Sequence, residues 1–369
     1  MLESNISIEN SSGNRYNKSN ANEKIGRATM KQKMWKTCCV VLIVAAFFMG
    51  TAAGCGNQNP TETQQYKVGI VQLVTHDAAD ATNAGFVQAL ADYGLVEGEN
   101  VTFVQRNGQN EQSNLESIAQ TFINEDVDLI CAVSTSTAQV MAAATDEIPI
   151  VGTAITNYEE AKLVKSNDAP GYNVTGTSDQ NPIEKQGELL LQLVPDVKTV
   201  GIIYNSSEIN SQLQVAHMKQ YLEQHGVSVQ EAAFSNINDM QQVTQSLVGQ
   251  VEAIYLPTDN TVASSIPQVI SVTEEAKLPV VGGEIAQVEG GATATYGIDY
   301  YKLGYQTGEM AVKILTGEAE PATMPIEYAD EEDLTLAINQ NEAERIGLEI
   351  PKELLEQATM IETKASTAK

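Results

Sequence analysis

From Gln65 onward the chain alternates short, β-branched apolar runs with longer stretches whose apolar residues recur every three or four positions. The runs YKVGIVQLV (66–74), NVTFVQ (100–105), VDLICAVS (127–134) and IPIVGTAI (148–155) predict strands. The intervening DATNAGFVQALADYG (80–94) and SNLESIAQTFINED (113–126) predict amphipathic helices. This alternation predicts parallel strands joined by crossover helices, an α/β fold.

The same order then recurs. KTVGIIYNSSE (198–208) matches YKVGIVQLV, VEAIYLPTDNTVASS (251–265) matches VDLICAVSTSTAQVM (127–141), and LPVVGG (278–283) matches IPIVGT (148–153). The offsets are 132 residues from Val68 to Val200, 124 from Val127 to Val251 and 130 from Pro149 to Pro279. Near-equal offsets across three ordered segments predict two similarly wound, Rossmann-like lobes with parallel sheets joined by crossover strands. NVTGTSDQNP (173–182) is the expected first crossing, and ATATYGIDYYKLGYQTGEMAVKIL (292–315) the second. PIEYADEEDLTLAINQNEAERIGLEI (325–350) supplies a further strand pair, a short helix and a third crossing. The expected N-terminal lobe is 66–177 with 300–325, the C-terminal lobe 178–299 with 326–362, and the tail 363–369.

Ahead of the lobes, CCVVLIVAAFFM (38–49) follows a basic stretch containing Lys24, Arg27, Lys31, Lys33 and Lys36 and precedes TAAGCGN (51–57). This is the outline of a signal peptide over 1–54, with a charged segment, a short apolar core and a small-residue cleavage site. Its twelve apolar residues fall short of the ~20 that a spanning helix needs. Cys55 after Ala52-Ala53-Gly54 resembles a lipobox, in which Cys55 becomes the lipidated N-terminus and 55–65 a linker, although the pattern prefers Leu where Ala52 stands. The Asn- and Ser-rich residues up to Thr29 are unlike a signal sequence, and Met30 is an alternative start.

Setting 1–54 aside leaves 315 of the 369 residues, enough for two domains of common size. Residues 1–54 hold 7 of the 21 Lys and Arg but 3 of the 48 Asp and Glu, so the remainder carries 14 basic and 45 acidic residues, a net −31. Such a surface repels phosphates and anionic lipid, which argues against nucleic-acid binding. Of the cysteines beyond Cys55 only Cys131 remains, in an apolar strand, with no partner for a disulfide. The three histidines, His76, His217 and His225, lack a His, Cys or acidic neighbour at metal-site spacing, and HEXXH, paired CXXC, GXSXG and Walker-type loops are absent. No metal, cofactor or catalytic residue is expected.

The loops after the predicted strands share a character: QLVTHD (72–77), STST (134–137), TAITN (153–157), TSD (177–179), NSSEINS (205–211), DNT (259–261) and Glu284 are rich in hydroxyls, amides and carboxylates. In open α/β sheets such loops line the ligand cleft. The helix start at Ser134–Thr137 can hold a carboxylate through free N–H groups, whereas capping alone also explains Ser and Thr there. Only Arg106 and Arg345 remain after residue 54, too few to clamp a phosphate bidentately, while Glu208, Asp259, Glu284 and Asp299 suit an ammonium. One anion site plus one carboxylate site describes an α-amino acid, with sugars and nucleosides as alternatives.

GIVQLVTHDAADATNAGFVQAL, DLICAVSTSTAQ, NVTGTSD, YNSSEINS, LPTDNTV, YGIDYYKLGYQTGEMA and NQNEAERIGLEIP together resemble the ABC-transporter substrate-binding lipoproteins of the tryptophan/tyrosine-binding type. The resemblance implies a type I periplasmic-binding-protein fold, a cleft closing over one small ligand, and export with lipid anchoring to the outer face of a bacterial cytoplasmic membrane. It also implies a monomer that is not an enzyme and that delivers ligand to a permease driven by a separate ATPase. Matched motifs carry over Gln72, Thr135, Ser178, Asn205, Glu208, Asn210, Ser211, Asp259, Asn260 and Asp299 as ligand-binding candidates, and Ser134 and Ser136 join them on the helix-start argument. The family often has His-Pro-Ala-Leu-Asp at 76–80 and Thr-Pro at 135–136, where this chain has HDAAD and Thr-Ser. A sensory ectodomain of the same fold and an extracellular enzyme on a two-lobed scaffold stay open as rival functions. A DNA-binding regulator of this fold needs a DNA-binding head where this chain has a signal sequence.

Overall fold

The computed structural model describes residues 64–329 and 334–364; the expected signal peptide over 1–54, Cys55 and most of the expected linker lie outside the described residues, as do 365–369 of the tail. The first sheet is built from β1 (Tyr66–Gln72), β2 (Val101–Asn107), β3 (Leu129–Val133), β4 (Ile150–Ile155), β5 (Val174–Ser178) and β11 (Glu327–Tyr328). Its order is β11-β5-β4-β3-β1-β2, parallel throughout. The second contains β6 (Thr199–Asn205), β7 (Ser228–Phe234), β8 (Ala253–Leu256), β9 (Val280–Gly282), β10 (Ala294–Gly297), β12 (Thr335–Ile338) and β13 (Thr359–Met360). It is ordered β13-β12-β10-β9-β8-β6-β7, and only the β10–β12 pair is antiparallel.

Within each sheet the first five strands take the same order, second-first-third-fourth-fifth, so the sequence repeat is a repeat of winding. The central strands are apolar on both faces because helices cover both: all five residues of β3, LICAV, are buried. One face of the first sheet packs on α2 (Gln112–Asn124), whose Leu115, Ile118, Ala119 and Phe122 form a single buried stripe. The other packs on α1 (Asp77–Asp92) through Phe86 and Leu90. The second sheet has corresponding cores around Leu189, Leu190, Met218 and Tyr255 on one side and Met240, Val262, Val269 and Val288 on the other. The sequence pattern passed over β7, because SVQEAAF is an edge strand with polar residues at Ser228, Gln230 and Glu231.

Three connections join the sheets. The chain leaves β5 for α4 (Ile183–Leu193), leaves β10 for α10 (Tyr300–Leu315), and passes from β11 in the first sheet to β12 in the second. The expected strand pair at 325–350 is thus divided, since Glu327 and Tyr328 pair with β5 while β12 pairs with β10. Helix α10 returns to the first lobe, where Ala311, Val312 and Leu315 join the core around Phe86 and Leu90. It lies almost backbone to backbone on α1: a Cβ on Gly304 would stand 1.9 Å from the Thr82 carbonyl oxygen, and one on Gly85 2.0 Å from that of Tyr301. Glycine is required here by close approach, not by dihedral freedom.

Gly304→Ala is therefore expected to force α1 and α10 apart and lower unfolding stability by ~1–3 kcal/mol, measured by urea denaturation. Gly94→Ala, whose added Cβ meets nothing within 4 Å, is expected to cost only its backbone strain at φ 85°, ~1–2 kcal/mol.

Candidate functional site

The loops at the carboxyl ends of the two sheets enclose a narrow cavity. The first lobe supplies His76 and Ala79 at the start of α1, Val133 at the end of β3, Ala154 in β4 and Asp179 after β5. The second supplies Asn210 in α5 (Ile209–Gln224), Thr258 and Asp259 after β8, Asn260 opening α7 (Asn260–Ser264), and Glu284 before α9 (Ile285–Glu289). Tyr300, first residue of α10, completes the lining. No lysine or arginine is among these residues.

Among the hydrogen bonds between the lobes, which also include Thr261 Oγ1 to Asn110 Oδ1 at 3.3 Å and the ion pair of Lys364 with Asp77 at 2.7 Å, two bridges border this space. His76 Nε2 lies 3.3 Å from Asn260 Oδ1, 184 residues away, and Asn260 Nδ2 donates to Glu208 Oε2 at 2.6 Å. Because the Asn260 amide nitrogen is committed to Glu208, its oxygen faces the imidazole, so Nε2 donates. His76 Nδ1 in turn accepts from Ala79 N, capping α1. The ring is neutral in this role, consistent with burial pushing its pKa below the ordinary value. In the second bridge Gln214 donates to Thr156 Oγ1 at 3.2 Å, and Thr156 Oγ1 donates to Asp179 Oδ1 at 3.1 Å. Tyr300 donates to the other Asp179 oxygen at 2.8 Å, while Gln214 is held by Thr258 through both its amide atoms.

The buried carboxyl groups differ in what they are given. Glu208 accepts from Asn260 N, Thr261 N and Thr261 Oγ1 at 3.1, 3.1 and 2.8 Å. Asp259 caps α7 through Val262 N and accepts from Asn205 N and Ser211 Oγ. Burial raises Asp259 well above the usual carboxylate range, and the nearby Glu208 adds to the rise. Asp179 is also raised by burial, against the lowering effect of its bonds from Tyr300 and Thr156. Glu284 Oε1 is buried and receives no hydrogen bond. Burial first, then the fields of Asp179, Asp259, Asp77 and Glu208, push Glu284 up to about 8.

Across the cavity the start of α3 (Thr135–Ala144) has no side-chain cap, and the buried Thr135 Oγ1 makes no hydrogen bond. The backbone leading in is strained: Ser134 has φ 99° and Ala154, on the adjacent strand, φ 54°. Non-glycine residues in such conformations cost ~1–3 kcal/mol each and cluster where function requires the geometry. Next to Val133, which lines the cavity, the helix start thus offers uncapped N–H groups and a hydroxyl without a hydrogen bond, which suit an anion. The opposite wall offers carboxyl oxygens, which suit a cation.

The residues expected from sequence fall into three groups. Asn210, Asp259 and Asn260 line the cavity, and Asn210 Oδ1 is buried without a partner. Ser134, Thr135, Glu208, Ser211, Asn205 and Ser178 stand behind it. Ser211 supports Asp259 at 2.8 Å, Asn205 Nδ2 donates to Thr261 Oγ1 at 2.8 Å, and Ser178 Oγ donates to Thr156 O at 3.0 Å. Ser136 faces a separate groove shared with Asn205 and Glu208. The structure does not bring Gln72 or Asp299 to the cavity: Gln72 Nε2 donates to Asp80 at 2.9 Å, while Asp299 caps α10 and borders a surface groove. Glu284 was visible only as one of several acidic loop residues. His76, Asp179, Thr258 and Tyr300 carried no individual signal, since what defines them is a partner on another segment.

Residues 67–362 match the family model described as ABC transporter substrate binding protein. The chain is 40% identical over 287 residues to the tyrosine-binding protein of Clostridioides difficile (strain R20291), covering 78% of this chain and 83% of that one. Among solved structures it is similar to an ABC domain from Streptococcus pneumonia in complex with L-Trp, at 35% identity and TM-score 0.78. It is also similar to the ligand-free, open structure of a substrate-binding protein with adhesive properties from Clostridium difficile, at 43% identity and TM-score 0.62. Each covers 81% of this chain and the whole of the other. The superposition is better on the L-Trp complex than on the ligand-free, open structure, although the second is the more identical in sequence.

Proposed function

We propose that this chain, which belongs to the family of ABC transporter substrate-binding proteins, captures an α-amino acid, aromatic in preference, between its two lobes. The family is non-enzymatic, and the cavity is accordingly a place of capture and release. The observation that carries the reading is the pairing of an uncapped helix start and a buried, unpartnered Thr135 hydroxyl just behind the Val133 side of the cavity with a buried carboxyl oxygen without a donor, on Glu284, in the lining. A zwitterion satisfies both at once. The ligand's carboxylate sits at Ser134–Thr137 and its ammonium among Asp259 and the neighbouring acids. The aromatic preference is supported by the tyrosine-binding relative and the L-Trp complex. A multiply charged phosphate is disfavoured by a cavity lined by no lysine or arginine.

The remaining parts of the reading concern delivery. The protein is exported, cleaved before Cys55 and held by a diacylglyceryl group on that residue at the outer face of the cytoplasmic membrane. Two acyl chains give stable anchoring where one is marginal. The loaded, monomeric protein passes its ligand to a permease powered by a separate ATPase. Support comes from the basic-apolar-small pattern over 24–55 and from family membership.

Calorimetric titration with L-tyrosine, L-tryptophan and L-phenylalanine is expected to show one-site binding by at least one of them, while a nucleoside or sugar binds none. Binding of a sugar or nucleoside alone overturns the amino-acid reading. Thr135→Val, which removes an already unpartnered hydroxyl, is expected to leave the ligand-free fold within ~0.5 kcal/mol of the parent and to weaken ligand by ~0.5–1.5 kcal/mol.

For the anchor, Cys55→Ser is expected to leave unprocessed precursor or release protein into the medium. Normal processing with membrane retention, followed by fractionation and immunoblotting, contradicts it.

A further inference from the structure

We infer that Glu284 is the group that receives the ligand's ammonium, which restricts the ligands of this site to free amines. The inference rests on the amino-acid reading and deepens it. Four buried acids surround the cavity, and three are committed. Glu208 holds the start of α7, Asp259 caps the same helix and ties it to Asn205 and Ser211, and Asp179 takes both Thr156 and Tyr300. Glu284 is 3% exposed, lines the cavity, and has an oxygen with no donor. Asn210 Oδ1, also buried without a donor, lines the same cavity and offers a second acceptor for the same N–H groups.

Among the described residues no cation serves Glu284. The groups facing it are acidic or neutral: Asp179 after β5, Asp259 before α7, Asp77 in the first turn of α1, Glu208 before α5, the Tyr300 phenol and the neutral His76. Lys364 is engaged by Asp77 and Glu289, each at 2.7 Å. A buried carboxyl without a donor stays neutral until a cation arrives. With its pKa raised to about 8, Glu284 holds its proton at neutral pH. When R–NH3+ docks, the Glu284 O–H bond breaks, the electron pair stays on the carboxylate, the proton leaves to buffer, and an N–H···O ion pair forms. One positive charge enters and one leaves, so the crowded acids gain no net charge.

Capture at pH 7 is therefore expected to release about 0.9 proton per ligand and at pH 8 about 0.5, with affinity rising about fivefold between them. The test is calorimetry of the purified full chain with L-tyrosine and L-tryptophan in phosphate and in Tris at equal pH, whose differing ionisation enthalpies report the protons released. Glu284→Gln should abolish the buffer dependence and weaken binding about 10- to 100-fold. Its ligand-free thermal midpoint should equal or exceed the parent's above pH 7, because the parent loses stability as pH rises from the unfolded pKa towards 8. N-acetyl-L-tyrosine should not bind the parent protein. Equal binding of tyrosine and its N-acetyl form, or a Glu284→Gln protein that binds within twofold and still releases protons, overturns the inference while leaving the receptor reading intact. Failure of the parent to bind any aromatic amino acid removes both.

Discussion

The cavity carries a group of buried carboxyls with no lysine or arginine among the described residues that line it, and most of the surrounding architecture follows from what that burial demands. Taking a carboxylate out of water costs several kcal/mol unless donors or an opposite charge replace the lost solvation. The helix starts supply those donors. Glu208 and Asp259 consume the free N–H groups of α7, and Asp179 is held by hydroxyls from Thr156 and Tyr300. Each of these bonds also fixes a loop at a strand end. Electrostatic satisfaction and positioning of the cavity wall are thus one constraint, and Glu284 is left where it is unmet.

The same constraint couples the lobes. Asp179 lies on the first connection between sheets and Tyr300 on the second, so the bond between them spans two crossing segments 121 residues apart. The close backbone contact of α10 on α1 at Gly304 anchors that second crossing in the first lobe. Asn260 of the second lobe meets His76, and Gln214 meets Thr156. These bridges are neutral hydrogen bonds between side chains already held on each lobe, so their net contribution is modest, ~1 kcal/mol each. Bridges this weak do not by themselves fix two lobes against each other, and under the proposed reading a ligand held by both lobes tips the balance toward closure.

The winding was legible in the sequence because buried parallel strands are apolar without interruption and because the run beginning YKVGIVQ returns as KTVGIIYN with its neighbours in order. The edge strand β7 was not, since its residues face solvent and carry no such run. For the candidate site, the hydroxyl- and acid-rich loops at strand ends include Asn210, Asp259 and Asn260, which line the cavity. Sequence could not separate cavity residues from caps. Asp299 and Asp259 both open a helix, and only the second faces the cavity. His76, Asp179 and Tyr300 are defined by partners more than 100 residues distant, a relation that no local pattern encodes. Glu284 stands out through the absence of donors, which only packing can reveal.

Closure over a zwitterion is the central claim, and small-angle scattering tests it most directly. A two-lobed chain whose walls are bridged by ligand must become more compact when the ligand binds. The radius of gyration of the purified protein, measured without ligand and with saturating L-tyrosine or L-tryptophan, is expected to fall on addition. An unchanged radius, with binding confirmed in the same sample by calorimetry, contradicts closure and makes this a rigid receptor.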